Sequence, residues 1–138
     1  MNTDVNANQP SVLIVDDDPE SLLLVSTMVE YVGYRPVTAA AYDEAITQLA
    51  ESPAALVLDL VMPDRTSERL LDEIARSGSD IAVVLMSAAK RDELGARAAE
   101  LSRLGINVVS TLAKPFWVDV LVPALEKAMP DAPIVAIG

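Results

Sequence analysis

No cysteine and no histidine occur anywhere in the 138 residues. The first absence excludes disulfides, thiolate zinc sites and cysteine nucleophiles. The second excludes Ser-His triads, imidazole general bases and most transition-metal sites. It also means that the chain has no histidine of its own to carry a phosphoryl group. Basic residues are scarce: 10 Lys and Arg stand against 21 Asp and Glu, a net charge of −11. That balance argues against direct binding of DNA or RNA, whose phosphates must be met by Lys and Arg. Long apolar runs are missing too. Ala54–Pro63 and Ile81–Ala89 fall far short of the roughly 18 residues that a membrane span requires, and Asp59 interrupts the first. Met1–Pro10 has neither a basic patch nor an apolar stretch, so it does not read as a signal peptide. A soluble, cytoplasmic protein is the expectation.

What is present suffices for one full core. Hydrophobic residues make up 51% of the chain, and its length suits a single domain of about 100–150 residues. The expected organisation is a loose N-terminal tail over 1–10, one domain over 11–129, and a C-terminal tail or the start of a linker over 130–138.

Within that domain the hydrophobic period alternates. Val12-Leu13-Ile14-Val15 is a continuous β-branched run that reads as a strand buried on both faces. Asp18 then offers an N-cap with Pro19 at the first helical position, and Leu22, Val25, Val29 and Val32 recur at helical spacing. Gly33 stands where a C-terminal cap glycine belongs. The pattern repeats with strands over 36–39, 55–59, 81–86 and 106–112. Helices are predicted over 42–51, 67–77 and 90–104, and one more closes the chain before Pro130. Pro123 predicts a late start of that last helix, with Asp119 as its N-cap, or else a kink. Five strands alternating with five helices predict an α/β fold: a doubly wound parallel sheet, flavodoxin-like order 2-1-3-4-5, with helices on both faces.

In such sheets the site lies at the carboxyl ends of the strands. There the sequence places Asp16-Asp17-Asp18, Asp59, Ser87 and Lys114. Each has an ordinary explanation taken alone. Aspartates before a helix cap it and favour its positive end; a serine after a strand makes a turn; a lone lysine is usually on the surface. Asp59 is harder to dismiss, because a carboxylate ending an apolar strand is expensive unless paired or metal-bound. Together the groups make chemical sense. Clustered carboxylates repel and raise one another's pKa, which a hard divalent cation and one lysine resolve. Mg²⁺ takes one or two carboxylates and binds phosphoryl oxygens, lysine supplies a point charge for a phosphate, and a carboxylate can act as the nucleophile. The set reads as metal-assisted phosphoryl transfer onto a carboxylate.

Four motifs, Val-Leu-Ile-Val-Asp-Asp-Asp-Pro, Leu-Asp-Leu-Val-Met-Pro-Asp, Leu-Met-Ser-Ala and Leu-Ala-Lys-Pro-Phe, occur in order from Ser11 onward. In combination the chain resembles a receiver domain of a two-component response regulator. The resemblance implies Asp59 as phosphoacceptor and Mg²⁺ as cofactor. Asp17 would hold the ion directly, Asp16 partly through water, and the main-chain carbonyl of Val61 would complete the metal site with Asp59. Ser87 would be the switch residue that follows the phosphoryl group, Lys114 would pair with its oxygens, and Lys114-Pro115 would be a cis peptide. The implied partner is a histidine kinase or histidine phosphotransfer protein. The implied chemistry is the domain's own phosphorylation and dephosphorylation, not that of an enzyme with an external substrate.

Three departures from the family pattern stand out. Thr111 occupies the position three before the lysine where an aromatic switch residue is usual. The loop after Pro63 reads Asp64-Arg65-Thr66-Ser67, so its turn must be built without the usual glycine. Finally, Gly105–Lys114 is longer than the pattern by about two residues, in a form similar to receivers found with EAL-type cyclic-di-GMP phosphodiesterases.

Other readings are weaker. A haloacid-dehalogenase-like phosphatase needs a second Asp where Val61 stands. A flavodoxin-like cofactor binder needs a Ser/Thr/Gly-rich phosphate loop where three aspartates stand. A degenerate receiver acting only as an interaction module, and an excised input domain of a larger regulator, remain open. The downstream effector is unknown, and homodimerisation is left open.

Overall fold

The computed structural model describes residues 9–132. Most of the two expected tails, 1–10 and 130–138, therefore lies outside the described residues. The strands are β1 (Ser11–Val15), β2 (Arg35–Ala39), β3 (Ala55–Asp59), β4 (Ala82–Ser87) and β5 (Val108–Ala113). The helices are α1 (Pro19–Tyr31), α2 (Tyr42–Leu49), α3 (Thr66–Ser77), α4 (Arg91–Arg103) and α5 (Val118–Ala128), with one 3-10 turn at Pro63–Arg65. All strand pairs are parallel, in the order β2-β1-β3-β4-β5. This is the doubly wound sheet that the alternating pattern predicts.

Side-chain alternation along the strands sorts the core into two layers. Val12, Ile14, Val57, Val84 and Met86 face one side and pack with Val25, Val29, Leu121 and Leu125 from α1 and α5. Leu13, Val15, Leu56, Leu58, Val83 and Leu85 face the other and pack with Ala45, Leu70, Ile74, Leu94 and Leu101 from α2, α3 and α4. β3 and β4 are buried along their whole length. The edge strands differ from the expectation of two buried faces: Arg35 and Thr38 of β2 are exposed, and β5 is mostly only half-buried.

Two boundaries are corrected. β5 starts at Val108, not Ile106, because Ile106 still closes the end of α4. The Ile106 amide donates to Leu101 O at 3.2 Å, and the ladder's first bond runs from the Val83 amide to Asn107 O at 2.9 Å. Val83 pairs with Val108 but Val84 with Ser110, so Val109 is an extra residue bulged out of β5. The bulge absorbs part of the extra length noted in Gly105–Lys114.

α5 starts at Val118 with Trp117 as N-cap, and Asp119 makes no cap; Pro123 then falls inside the helix. The missing proline N–H leaves the Asp119 carbonyl without its i+4 donor. Both Asp119 and Pro123 are at least partly exposed, so water can take that carbonyl. Beyond the helix, Ala132 O accepts a 2.6 Å hydrogen bond from Tyr34 Oη. Among the described residues no helix is long and apolar enough to cross a membrane.

Candidate functional site

β1, β3, β4 and β5 all end at one edge of the sheet, where their next residues meet. Asp16 directly follows β1 and is fully buried. Its amide stays in the sheet, donating to Ala39 O at 3.2 Å, and its Oδ1 accepts from the Asp18 amide at 3.0 Å. The Asp18 side chain turns to the helix instead, where its Oδ1 accepts from the Glu20 amide at 3.2 Å and caps α1. Asp17, between them, is exposed. Asp59 ends β3 and is 6% exposed; its Oδ1 accepts from the Val61 amide at 2.9 Å. Lys114 follows β5, and its amide donates to Ser87 O at 2.8 Å, tying the loop to the end of β4. Its Nζ donates to Asp16 Oδ2 at 2.6 Å and to Asp59 Oδ2 at 2.9 Å. The Lys114-Pro115 peptide is cis.

One carboxylate oxygen each from Asp16, Asp17 and Asp59 lies within 4.8 Å of the others. Three hard oxygen donors against a single ammonium leave the cluster negative, and this donor set suits a hard divalent cation such as Mg²⁺. Val61 is exposed, and the group that it presents to Asp59 is its amide. Ser87 is buried at the end of β4, where its hydroxyl accepts from the Ala89 amide at 3.0 Å. Thr111 is half-buried on β5. The nearby aromatics diverge: Phe116 joins the core cluster, whereas Trp117 is 65% exposed.

The two buried carboxyls are displaced from the ordinary pKa in opposite directions. Burial raises Asp16, but hydrogen bonds from Lys114, Ser21 and the Asp18 amide outweigh it and hold Asp16 below the ordinary carboxylate value. Burial also raises Asp59, and there the Val61 amide and Lys114 do not offset it, with the Asp16 charge adding to the rise. Burial lowers Lys114, yet its bonds to Asp16 and Asp59 carry it above its ordinary value. Lys114 is thus firmly cationic.

Against this geometry, the sequence model of the family described as "Response regulator receiver domain" matches residues 12–126. The chain belongs to that family. The probable transcriptional regulator ycf27 of Cyanophora paradoxa is 33% identical over 111 residues, covering 79% of this chain and 44% of the relative. The response regulator SaeR of Staphylococcus aureus (strain USA300) is 32% identical over 77 residues, covering 56% of this chain and 34% of the relative. The chain therefore spans less than half the length of these curated relatives. Among solved structures, a sensor protein from Polaromonas sp. JS666 matches at TM-score 0.73 with 27% identity, covering 89% of this chain and 98% of that one. A response regulator from Colwellia psychrerythraea matches at TM-score 0.74 with 24% identity, covering 90% of this chain and all of that one, and supports the fold.

The sequence places Asp16, Asp17, Asp59 and Lys114 in the site, and the structure brings these four receiver residues together. Sequence reasoning missed Ser67. Its hydroxyl, buried in the first turn of α3, donates to the main-chain carbonyl of Asp59 at 2.5 Å. The one signal for it was the glycine-free turn, which needed another way of being closed.

Proposed function

We propose that this receiver domain accepts a phosphoryl group on Asp59 from a histidine of a partner kinase or histidine phosphotransfer protein. The observation that carries this reading is the double ion pair of Lys114 with Asp16 and Asp59 beside exposed Asp17. A carboxylate oxygen of Asp59 attacks phosphorus, a new O–P bond forms, the bond to the donor nitrogen breaks, and the electron pair leaves with the imidazole. Asp16, Asp17, Asp59 and the Val61 carbonyl would hold Mg²⁺, which when bound offsets charge on the phosphoryl oxygens. Lys114 already bridges the two buried carboxylates, so it is placed to follow a phosphoryl oxygen on Asp59. The chain has no histidine, so the donor histidine lies outside this sequence. A groove lined by Ser21, Leu24, Met28, Pro115 and Phe116 runs beside Lys114 and offers the donor's side chain an approach.

Ser87 would close on the phosphoryl group by giving up its bond from Ala89. The event would then be a charge-adding modification that biases a two-state surface. Since Thr111 replaces the aromatic that usually follows the serine, the partner would read the surface formed by α4, β5 and α5 in another way. The domain would be a cytoplasmic signalling module that catalyses only its own phosphorylation and dephosphorylation.

Incubation with Mg²⁺ and acetyl phosphate should add the mass of one phosphoryl group to the wild type. Asp59→Asn, or removal of Mg²⁺, should abolish the gain. No gain on the wild type would instead favour a phosphorylation-independent interaction module.

A further inference from the structure

Ser67 lies outside the acid cluster, yet it holds the backbone of the residue at its centre. Building on the reading of Asp59 as phosphoacceptor, we infer that Ser67 is a positioning residue for phosphoryl transfer, fixing Asp59 through its main-chain carbonyl. Segment 60–66 leaves Asp59 and returns to Ser67. At its near end the Val61 amide donates to Asp59 Oδ1 at 2.9 Å. At its far end the Ser67 hydroxyl donates to Asp59 O at 2.5 Å. The loop thus grips the phosphoacceptor twice, once on the carboxylate and once on the backbone behind it.

The loop between those grips is under strain. Asp64 and Arg65 have φ of 59° and 54°, in the left-handed region that side chains disfavour. Released at one end, such a loop relaxes towards negative φ and carries the Val61 amide with it. The Asp59 carboxylate would then lose the donor that sets its torsion. In-line attack on phosphorus tolerates little misplacement of the nucleophile. Ser67 is 1% exposed, so water does not replace the lost hydroxyl readily. Thr66, its neighbour, is also buried, but its Oγ1 donates to Pro63 O at 2.9 Å within the loop and does not grip Asp59.

That contrast supplies the control. The maximal rate of phosphorylation by acetyl phosphate is measured at saturating Mg²⁺, with Tm measured alongside. Ser67→Ala should lower the maximal rate about tenfold, because a nucleophile no longer held in place loses near-attack geometry. Ser67→Cys, which removes the hydroxyl but keeps the side chain's size and leaves only a weak S–H donor, supplies the deletion should Ser67→Ala not fold. Ser67→Thr, which keeps a hydroxyl, should recover most of the rate. Thr66→Ala should lower Tm and leave the maximal rate at the wild-type value. Wild-type rates in both hydroxyl deletions would overturn the role of Ser67, as would an equal fall in Thr66→Ala or no recovery in Ser67→Thr. No phosphorylation of the wild type at all would be a different failure, that of Asp59 as phosphoacceptor.

Discussion

Lys114 is shared between two buried carboxyls whose interests conflict. Asp16, held below the ordinary value, is most favourable to the fold when ionised. Its contribution is complete above the unfolded carboxylate pKa near 4 and is lost as pH falls through its depressed folded value. Asp59 carries the opposite sign. With its folded pKa raised, ionised Asp59 costs stability above that pKa, and the cost is relieved as pH falls through it. Neutral Asn at this position should remove the cost while leaving Asp16 its bond to Lys114. Without Mg²⁺, Asp59→Asn should therefore unfold a few degrees above the wild type at pH 7. The gap should narrow on acidification through the raised pKa of Asp59, as thermal melts from pH 7 to pH 4 would show. A variant less stable than wild type at pH 7 would mean that the ionised carboxylate is stabilising in the fold, against the direction of its shift.

Between β3 and α3 the chain turns without glycine, and the turn is strained for that reason. Asp64 tolerates left-handed φ better than most residues, but Arg65 does not. The left-handed conformation costs a side chain about 1–2 kcal/mol, and glycine's extra freedom in the unfolded chain returns up to about 1 kcal/mol of that. Arg65→Gly should stabilise the domain by about 0.5–1 kcal/mol, read as a higher urea midpoint at unchanged m-value. A lower midpoint would show that the Arg65 side chain contributes more than its backbone costs. This element also marks where the sequence stops being legible. β1, β3 and β4 could be read directly because strands buried on both faces show as unbroken apolar runs. The start of β5 could not, because Ile106 is buried in the core while it closes the end of α4, so an apolar residue precedes the ladder. The start of α5 was misplaced because Asp119 looks like a better cap than Trp117, yet no side chain caps that helix. Asp16, Asp59 and Lys114 stood out as charges at the ends of apolar strands. Ser67 did not, since a serine near a helix start reads as a cap, and only the fold shows that it reaches back to Asp59.

Over the whole molecule the charge of −11 makes any cation stabilising to some degree, because the folded state concentrates repulsion that salt screens. A specific Mg²⁺ site must be separated from that background. Binding to the folded state alone adds about 2.7 kcal/mol at a hundredfold excess over the dissociation constant. For a domain of this size that is a rise in Tm of about 10 °C. Sodium chloride at matched ionic strength should give a smaller rise, by screening alone. Asp17→Asn separates the two effects. Asp17 is exposed and makes no ion pair with Lys114, whose partners are Asp16 and Asp59, so its loss should cost the metal-free fold little. It nevertheless removes one of the three clustered carboxylates. The Mg²⁺-dependent rise should shrink to the sodium chloride level in Asp17→Asn, while the response to sodium chloride stays as in the wild type. Equal Mg²⁺ shifts in the two proteins would assign the whole effect to screening of the net charge and leave the cluster without a metal.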